Sequence, residues 1–167
     1  MEIDNPGNGN CLFYAVSLGM RHHKGVKTTP IQWKKATREL RSQVADEIKR
    51  LADTNKHFRN GLVGSEMNFN SNTNTNVNVS VSVASYLRRM RKDCTWGGQP
   101  ETIATHYLLQ RLGYQGLVVY ERNENSNSGY KRVAGMSGRL NHSKPLSPIK
   151  IVLHGVNQLG IHYTTLL

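Results

Sequence analysis

The sequence predicts an α+β domain, with helices in its first two thirds and strands in its last. Three observations carry this. Apolar residues recur every three or four positions from Trp33 to Leu51, which is the period of an amphipathic helix. Short runs rich in Val, Ile, Leu and Tyr close the chain: GLVVYE at 116–121, PIKIVLHGV at 148–156 and GIHYTTLL at 160–167. They read as strands. Helices grouped ahead of strands, rather than alternating with them, mark the α+β class. The length, 167 residues, suits one domain with its own core. No internal repeat or linker divides it, so 1–167 is expected to be a single domain.

Each element has a local reason. Residues 1–10 hold Pro6, Gly7, Gly9 and three Asn and read as a turn-rich loop. A helix follows from Cys11 to about Leu18. Thr29-Pro30 is a good helix start, because Thr can cap and Pro fits the first turn. The helix it opens runs for about five turns. Its buried stripe is Trp33, Ala36, Leu40, Val44, Ile48 and Leu51, and its outer face carries Lys34, Lys35, Arg38, Arg41 and Lys49. Residues 68–80 are rich in Asn and have too little apolar area to offset their ordering entropy. They are expected to be flexible. The next helix spans roughly Ser82 to Lys92, with Val83, Tyr86, Leu87 and Met90 inward. The turn CTWGGQP leads to another helix, Pro100 to Leu112, which Gly113 ends. After the strand at 116–121 comes a loop-rich stretch, 122–148, with a hairpin around Tyr130 to Met136. The turn VNQLG joins the last two strands.

Composition excludes several classes. The chain has 22 Lys plus Arg against 11 Asp plus Glu, a net charge of +11. No apolar run approaches the roughly 20 residues that span a bilayer, and the start lacks a secretory pattern. Two cysteines cannot build a disulfide scaffold, so a reducing, cytoplasmic setting is expected. The basic balance first points to nucleic acid, but no zinc-finger spacing, basic heptad or aromatic RNA-binding signature accompanies it. Its charge concentrates in 21–60, 88–93 and 122–150, where solvated helix faces and one long loop account for it. No CxxC, HExxH or EF-hand loop indicates a metal, and GNGNCL lacks both the third Gly of a dinucleotide loop and the Lys of a P-loop. No cofactor is expected.

Nucleophilic catalysis is the better lead. A cysteine at the first turn of a helix, after a Gly-rich loop, sits where the helix dipole favours a thiolate and free N–H groups can hold an oxyanion. Cys11 fits. Cys94, in the turn before Trp96, is the rival, and either could be a small buried hydrophobe instead. The base is one of seven histidines. His162 shares a strand face with Thr164, as a base and its orienting group would.

Three segments resemble one family. NGNCLFYAVS (8–17) resembles the nucleophile motif of the ovarian-tumour (OTU) cysteine proteases, written DG(D/N)CLFRA. YLRRMRKDCTWGGQPETIA (86–104) resembles their TWGG turn and following helix, and GIHYTTLL (160–167) their closing His-aromatic strand. The resemblance implies a papain-type fold, with a small central sheet packed between helical regions and a helical insertion at about 21–85. It implies a monomeric, thiol-dependent deubiquitinase acting on ubiquitin or polyubiquitin chains, with no metal or cofactor. Cys11 would be the nucleophile and His162 the general base. Trp96, Gly97, Gly98 and Tyr163 would shape the channel for the ubiquitin tail. Two positions depart from the family. Asn8 stands where Asp is usual, and Thr164 where Asn or Asp is common. Motif position favours Asn8 as the third catalytic residue, with Thr164 and Asp4 as alternatives. The missing carboxylates leave a second reading: a weak or inactive module that binds ubiquitin chains or an anionic partner. Cys94 takes the structural role. A second ubiquitin would dock on the 21–80 insertion and the 122–148 loop.

Overall fold

A computed structural model describes residues 1–4, 8–26, 30–71, 82–123, 125–126, 128–134, 145–157 and 160–167. The elements are β1 (Glu2–Ile3), α1 (Cys11–His23), α2 (Pro30–Thr54), α3 (Lys56–Ser71), α4 (Val83–Met90), α5 (Gln99–Arg111), β2 (Leu117–Arg122), β3 (Tyr130–Ala134), β4 (Ile149–Asn157) and β5 (Gly160–Leu166). The expected α+β architecture is present.

Local chemistry sets the short helices. Ser82 caps α4: its hydroxyl accepts from the Ser85 N–H, and Ser85 Oγ accepts from the Ser82 N–H, which satisfies two orphan donors at once. At α5 the bond is one-way: Glu101 Oε2 accepts from the Gly98 N–H at 2.7 Å, and Gly98 has no side chain to return it. The long α2 buries Leu40, Val44, Ile48 and Leu51 of the expected stripe, with Ala45 and Ala52 beside them, while Trp33 and Ala36 are half-buried.

The sheet has the order β1-β5-β4-β2-β3. Only β2 and β4 pair in parallel; the other neighbours are antiparallel. A hairpin was expected around Tyr130 to Met136; instead Tyr130–Ala134 forms β3, which pairs antiparallel with β2. In β4 and β5, His154 stands directly opposite His162 and Val152 opposite Thr164, so side-chain alternation puts these four on one sheet face. α1 packs on the other face, where the Thr165 hydroxyl donates to the Ala15 carbonyl at 2.9 Å. The core joins α1, α2 and α5 to Leu117, Val119, Ile149 and Ile151.

Several elements differ from the sequence expectation. α1 runs on to His23, and α2 has 25 residues. α3 lies within the helical insertion expected at about 21–85 but was not expected as a separate helix, because Gly61, Gly64 and several Asn weaken the helical signal. Packing overrides that weakness: Leu62 is 1% exposed, and Phe58 packs on the core. Of the Asn-rich segment, α3 takes residues up to Ser71, and 72–80 lie outside the described residues. So does Thr29, the expected cap of α2. β1 has two residues, too few for a period, and exists by pairing with Thr165 and Leu166 of β5.

Candidate active site

The loop before α1 brings the first group. Cys11 opens the helix and is 1% exposed. Asn10 is the N-cap, yet its side chain makes no cap hydrogen bond. Its amide is used elsewhere: Oδ1 accepts from Arg41 Nη2 at 2.5 Å, and Nδ2 donates to Asp93 Oδ1 at 2.9 Å. The first-turn N–H groups are therefore not consumed by a cap, as an anion site requires. Burial pushes the Cys11 thiol up, and the backbone N–H groups of Tyr163, Leu12 and Cys11, with the Arg41 charge, work against it. The Tyr163 N–H belongs to the peptide that follows His162. The sulfur thus lies against the β5 backbone at the His162–Tyr163 peptide.

His162 faces a carboxylate from the far end of the chain. Its Nε2 is 2.9 Å from Asp4 Oδ1. An ionised carboxylate only accepts, so Nε2 carries the ring proton and Nδ1 of the neutral ring is the basic nitrogen. Thr164 is engaged differently. Its hydroxyl donates to Glu2 Oε1 at 2.6 Å, and His154 Nε2 lies 3.0 Å from Thr164 Oγ1. Having one proton, already given to Glu2, the hydroxyl accepts from His154. Glu2 also takes His154 Nε2 at 2.8 Å, Arg122 Nη2 at 3.0 Å and the Tyr130 hydroxyl at 3.0 Å. Burial works to raise its carboxyl, but the bonds from Thr164, Arg122 and Tyr130 outweigh that and hold it below the usual carboxylate range. Glu2, Asp4, Arg122, His154, His162 and Thr164 line one polar cleft of about 240 Å³.

The TWGG turn packs against the start of α1. Gly97 is buried against Leu12: a Cβ there would come 2.8 Å from Leu12 Cδ2. Trp96 is 37% exposed. Tyr163 is buried and its side chain hydrogen-bonds Thr102 of α5, so it supports the turn from below. Glu101 is 1% exposed and pins Gly98 while accepting from the Tyr86 hydroxyl at 2.6 Å. Its burial pushes its carboxyl up, against those bonds.

The expected residues thus fall into two groups around Cys11: His162 with Tyr163 on β5, and Trp96, Gly97 and Gly98 on the turn. Asn8 is exposed in the bend before Gly9, and the carboxylate at His162 is Asp4. Two sequence readings need correction. Arg41 is not on the outer face of α2; it is 2% exposed. It lies three and four residues before Val44 and Ala45, hence within the apolar stripe, and that spacing was the available signal. Cys94, read as a small buried residue, is exposed. Glu2 and His154 were missed, because only tertiary pairing brings them to His162. Among the described residues, no group of three His, Cys, Asp or Glu is placed to hold a metal, and no helix is long and apolar enough to cross a membrane.

The chain is similar to known proteins in both sequence and fold. Residues 6–163 match the family described as OTU-like cysteine protease. The chain is 26% identical over 167 residues to the Arabidopsis thaliana ovarian tumor domain-containing deubiquitinating enzyme 4, covering 99% of this chain and 42% of that protein. It spans less than half the length of that relative. Among solved structures, the OTU deubiquitinase of Wolbachia pipientis wMel bound to ubiquitin is similar with a TM-score of 0.54 and 21% identity, over 100% of this chain and 94% of the other. The OTU domain of OTUD1 gives 0.52 and 20%, over 98% and 83%. The Hazara virus OTU bound to ubiquitin gives 0.51 and 15%, over 100% and 80%. At these identities the structures speak for the fold.

Proposed function

Because the chain belongs to the OTU-like cysteine protease family, we propose that it is a deubiquitinase that hydrolyses the isopeptide bond after the C-terminal Gly-Gly of ubiquitin. The observation that carries this reading is the meeting, at the Cys11 sulfur, of uncapped first-turn N–H groups and the peptide between His162 and Tyr163. Ubiquitin is the substrate by analogy with the similar proteins named for acting on it or bound to it.

In this reading His162 Nδ1 takes the Cys11 proton, and the sulfur attacks the carbonyl carbon of the terminal glycine. The N–H groups of Cys11 and the 8–11 loop hold the oxyanion. His162 returns the proton to the departing lysine amine. A water, deprotonated by His162, then opens the thioester and frees the ubiquitin carboxylate. Asp4 is the orienting group: it fixes the ring tautomer and steadies the imidazolium. That supplies a carboxylate, whose absence was the motive for a binding-only module. Trp96, Gly97 and Gly98 flank the diglycine tail, where a groove without side chains lets two backbones approach. The mechanism needs a free thiol, which suits a reducing compartment such as the cytosol.

The test is a ubiquitin bearing a C-terminal electrophile. The wild type is expected to form a covalent adduct and Cys11→Ala none. His162→Ala should lower the rate of diubiquitin cleavage by about 10³-fold or more. No adduct with ubiquitin or any related modifier would overturn the reading.

A further inference from the structure

We propose that Arg41 is a positioning residue of this site: its buried guanidinium ties the nucleophile loop to the Thr95–Gly98 turn and holds the two in register. The inference rests on the thiol-protease reading above.

Arg41 reaches three separate segments. Nη2 donates to the Gly9 carbonyl at 3.1 Å, to Asn10 Oδ1 at 2.5 Å and to the Thr95 carbonyl at 2.8 Å. Nη1 donates to the Met90 carbonyl at 3.0 Å, where α4 ends. The guanidinium carbon lies 4.2 Å from the centre of the Phe13 ring. These direct partners are carbonyls, an amide and a ring rather than a carboxylate. Burying a cation so is costly, and an apolar side chain of similar volume would fill the space with less penalty. The arrangement is explained if it fixes geometry.

It fixes geometry at a strained meeting point. Gly9 has φ +75°, Cys94 has φ +61°, and the two backbones touch: a Cβ on Gly9 would come 2.0 Å from the Cys94 carbonyl oxygen. Arg41 holds the carbonyl on either side of this contact. In a trans peptide C=O and N–H point opposite ways, so holding Gly9 O and Thr95 O also aims the Asn10 and Trp96 N–H groups away from the guanidinium. One residue thus orients both the loop proposed to hold the oxyanion and the turn proposed to hold the diglycine tail. Lys offers a single charged point in place of a planar fork and cannot bridge these acceptors at once.

The test compares Arg41→Lys and Arg41→Met with wild type on diubiquitin, with thermal melting alongside. It also follows the pH dependence of Cys11 alkylation by iodoacetamide in a Cys94→Ser background. Arg41→Met is expected to lose about 10²-fold in kcat while KM changes less than about threefold. Its alkylation midpoint should rise by about one pH unit, as loss of a nearby cation requires. Arg41→Lys should restore the midpoint and leave kcat low. Turnover within about threefold of wild type in both variants, or a loss that only tracks unfolded protein with an unmoved alkylation midpoint, would overturn the proposal. If neither variant folds, Asn10→Ala removes an acceptor from the loop side. It must then lose about tenfold in kcat with near-native melting, and wild-type turnover there counts against the proposal. A wild type that never reacts with the ubiquitin electrophile fails the deubiquitinase reading. A reactive wild type with indifferent Arg41 variants fails this proposal alone.

Discussion

At the residue scale, an exposed carboxylate steadies an imidazole less firmly than a buried one, because water competes for both partners. The Asp4 side chain is 82% exposed. Asp4→Asn is therefore expected to lower kcat by roughly ten- to a hundredfold, short of the ~10⁴-fold seen when a buried triad aspartate is amidated. Steady-state cleavage of diubiquitin measures this, with Asn8→Ala and Thr164→Val as comparisons. A loss in Asn8→Ala alone would return the orienting role to Asn8. The two cysteines make a separate prediction. Cys94 is exposed and Cys11 is 1% exposed, so a bulky maleimide should label Cys94 first, and Cys94→Ser should abolish the fast phase read by mass spectrometry. The signals that single out Cys11 and His162 are local motifs in the sequence. Arg41, Glu2 and His154 were not legible, because their partners lie on other elements and no spacing rule links them.

At the element scale, the contact between the nucleophile loop and the TWGG turn is the tightest constraint. Gly9→Ala is expected to destabilise the protein by more than about 2 kcal/mol, since the new Cβ meets backbone and the left-handed φ disfavours any side chain. Gly97→Ala should be milder, because its Cβ meets the flexible end of Leu12, and should show mainly as a raised KM. Chemical denaturation and steady-state kinetics separate the two. α2 and α4 were legible from their apolar period, α5 from the turns that flank it, and β2, β4 and β5 from their short apolar runs. α3 was not, because its stability comes from burying Leu62 and Phe58 rather than from its own composition. β1 is pure pairing with β5.

At the scale of the whole molecule, two buried groups link stability to pH. His106 is 4% exposed, and its Nδ1 accepts from the Leu117 N–H at 3.1 Å. Burial holds its pKa below the ordinary 6.5. Below that value the unfolded chain binds a proton that the folded one refuses, so stability falls with pH from about 6.5 downward, approaching ~1.4 kcal/mol per unit until the folded pKa is reached. Urea midpoints between pH 7 and 5 should show this slope, and His106→Gln should flatten it. Glu47 acts at lower pH. Burial favours its neutral form, but Arg50 and Arg111 outweigh that and lower its pKa from 4.5, so its contribution is present above that value and lost as pH falls through the folded one. The +11 charge, legible from composition, has exposed helix positions such as Lys34, Lys35, Arg38 and Lys49 among its carriers. The pairing of β1 with β5 has a practical side. It delivers Glu2 and Asp4 to the histidine cluster while adding little to the core. A laboratory version trimmed of its first seven residues, or one with a bulky fusion partner ahead of Met1, is expected to purify and melt much like the parent yet hydrolyse poorly. Such a preparation would pass every quality check except turnover, and a sound gene would be filed as a pseudoenzyme.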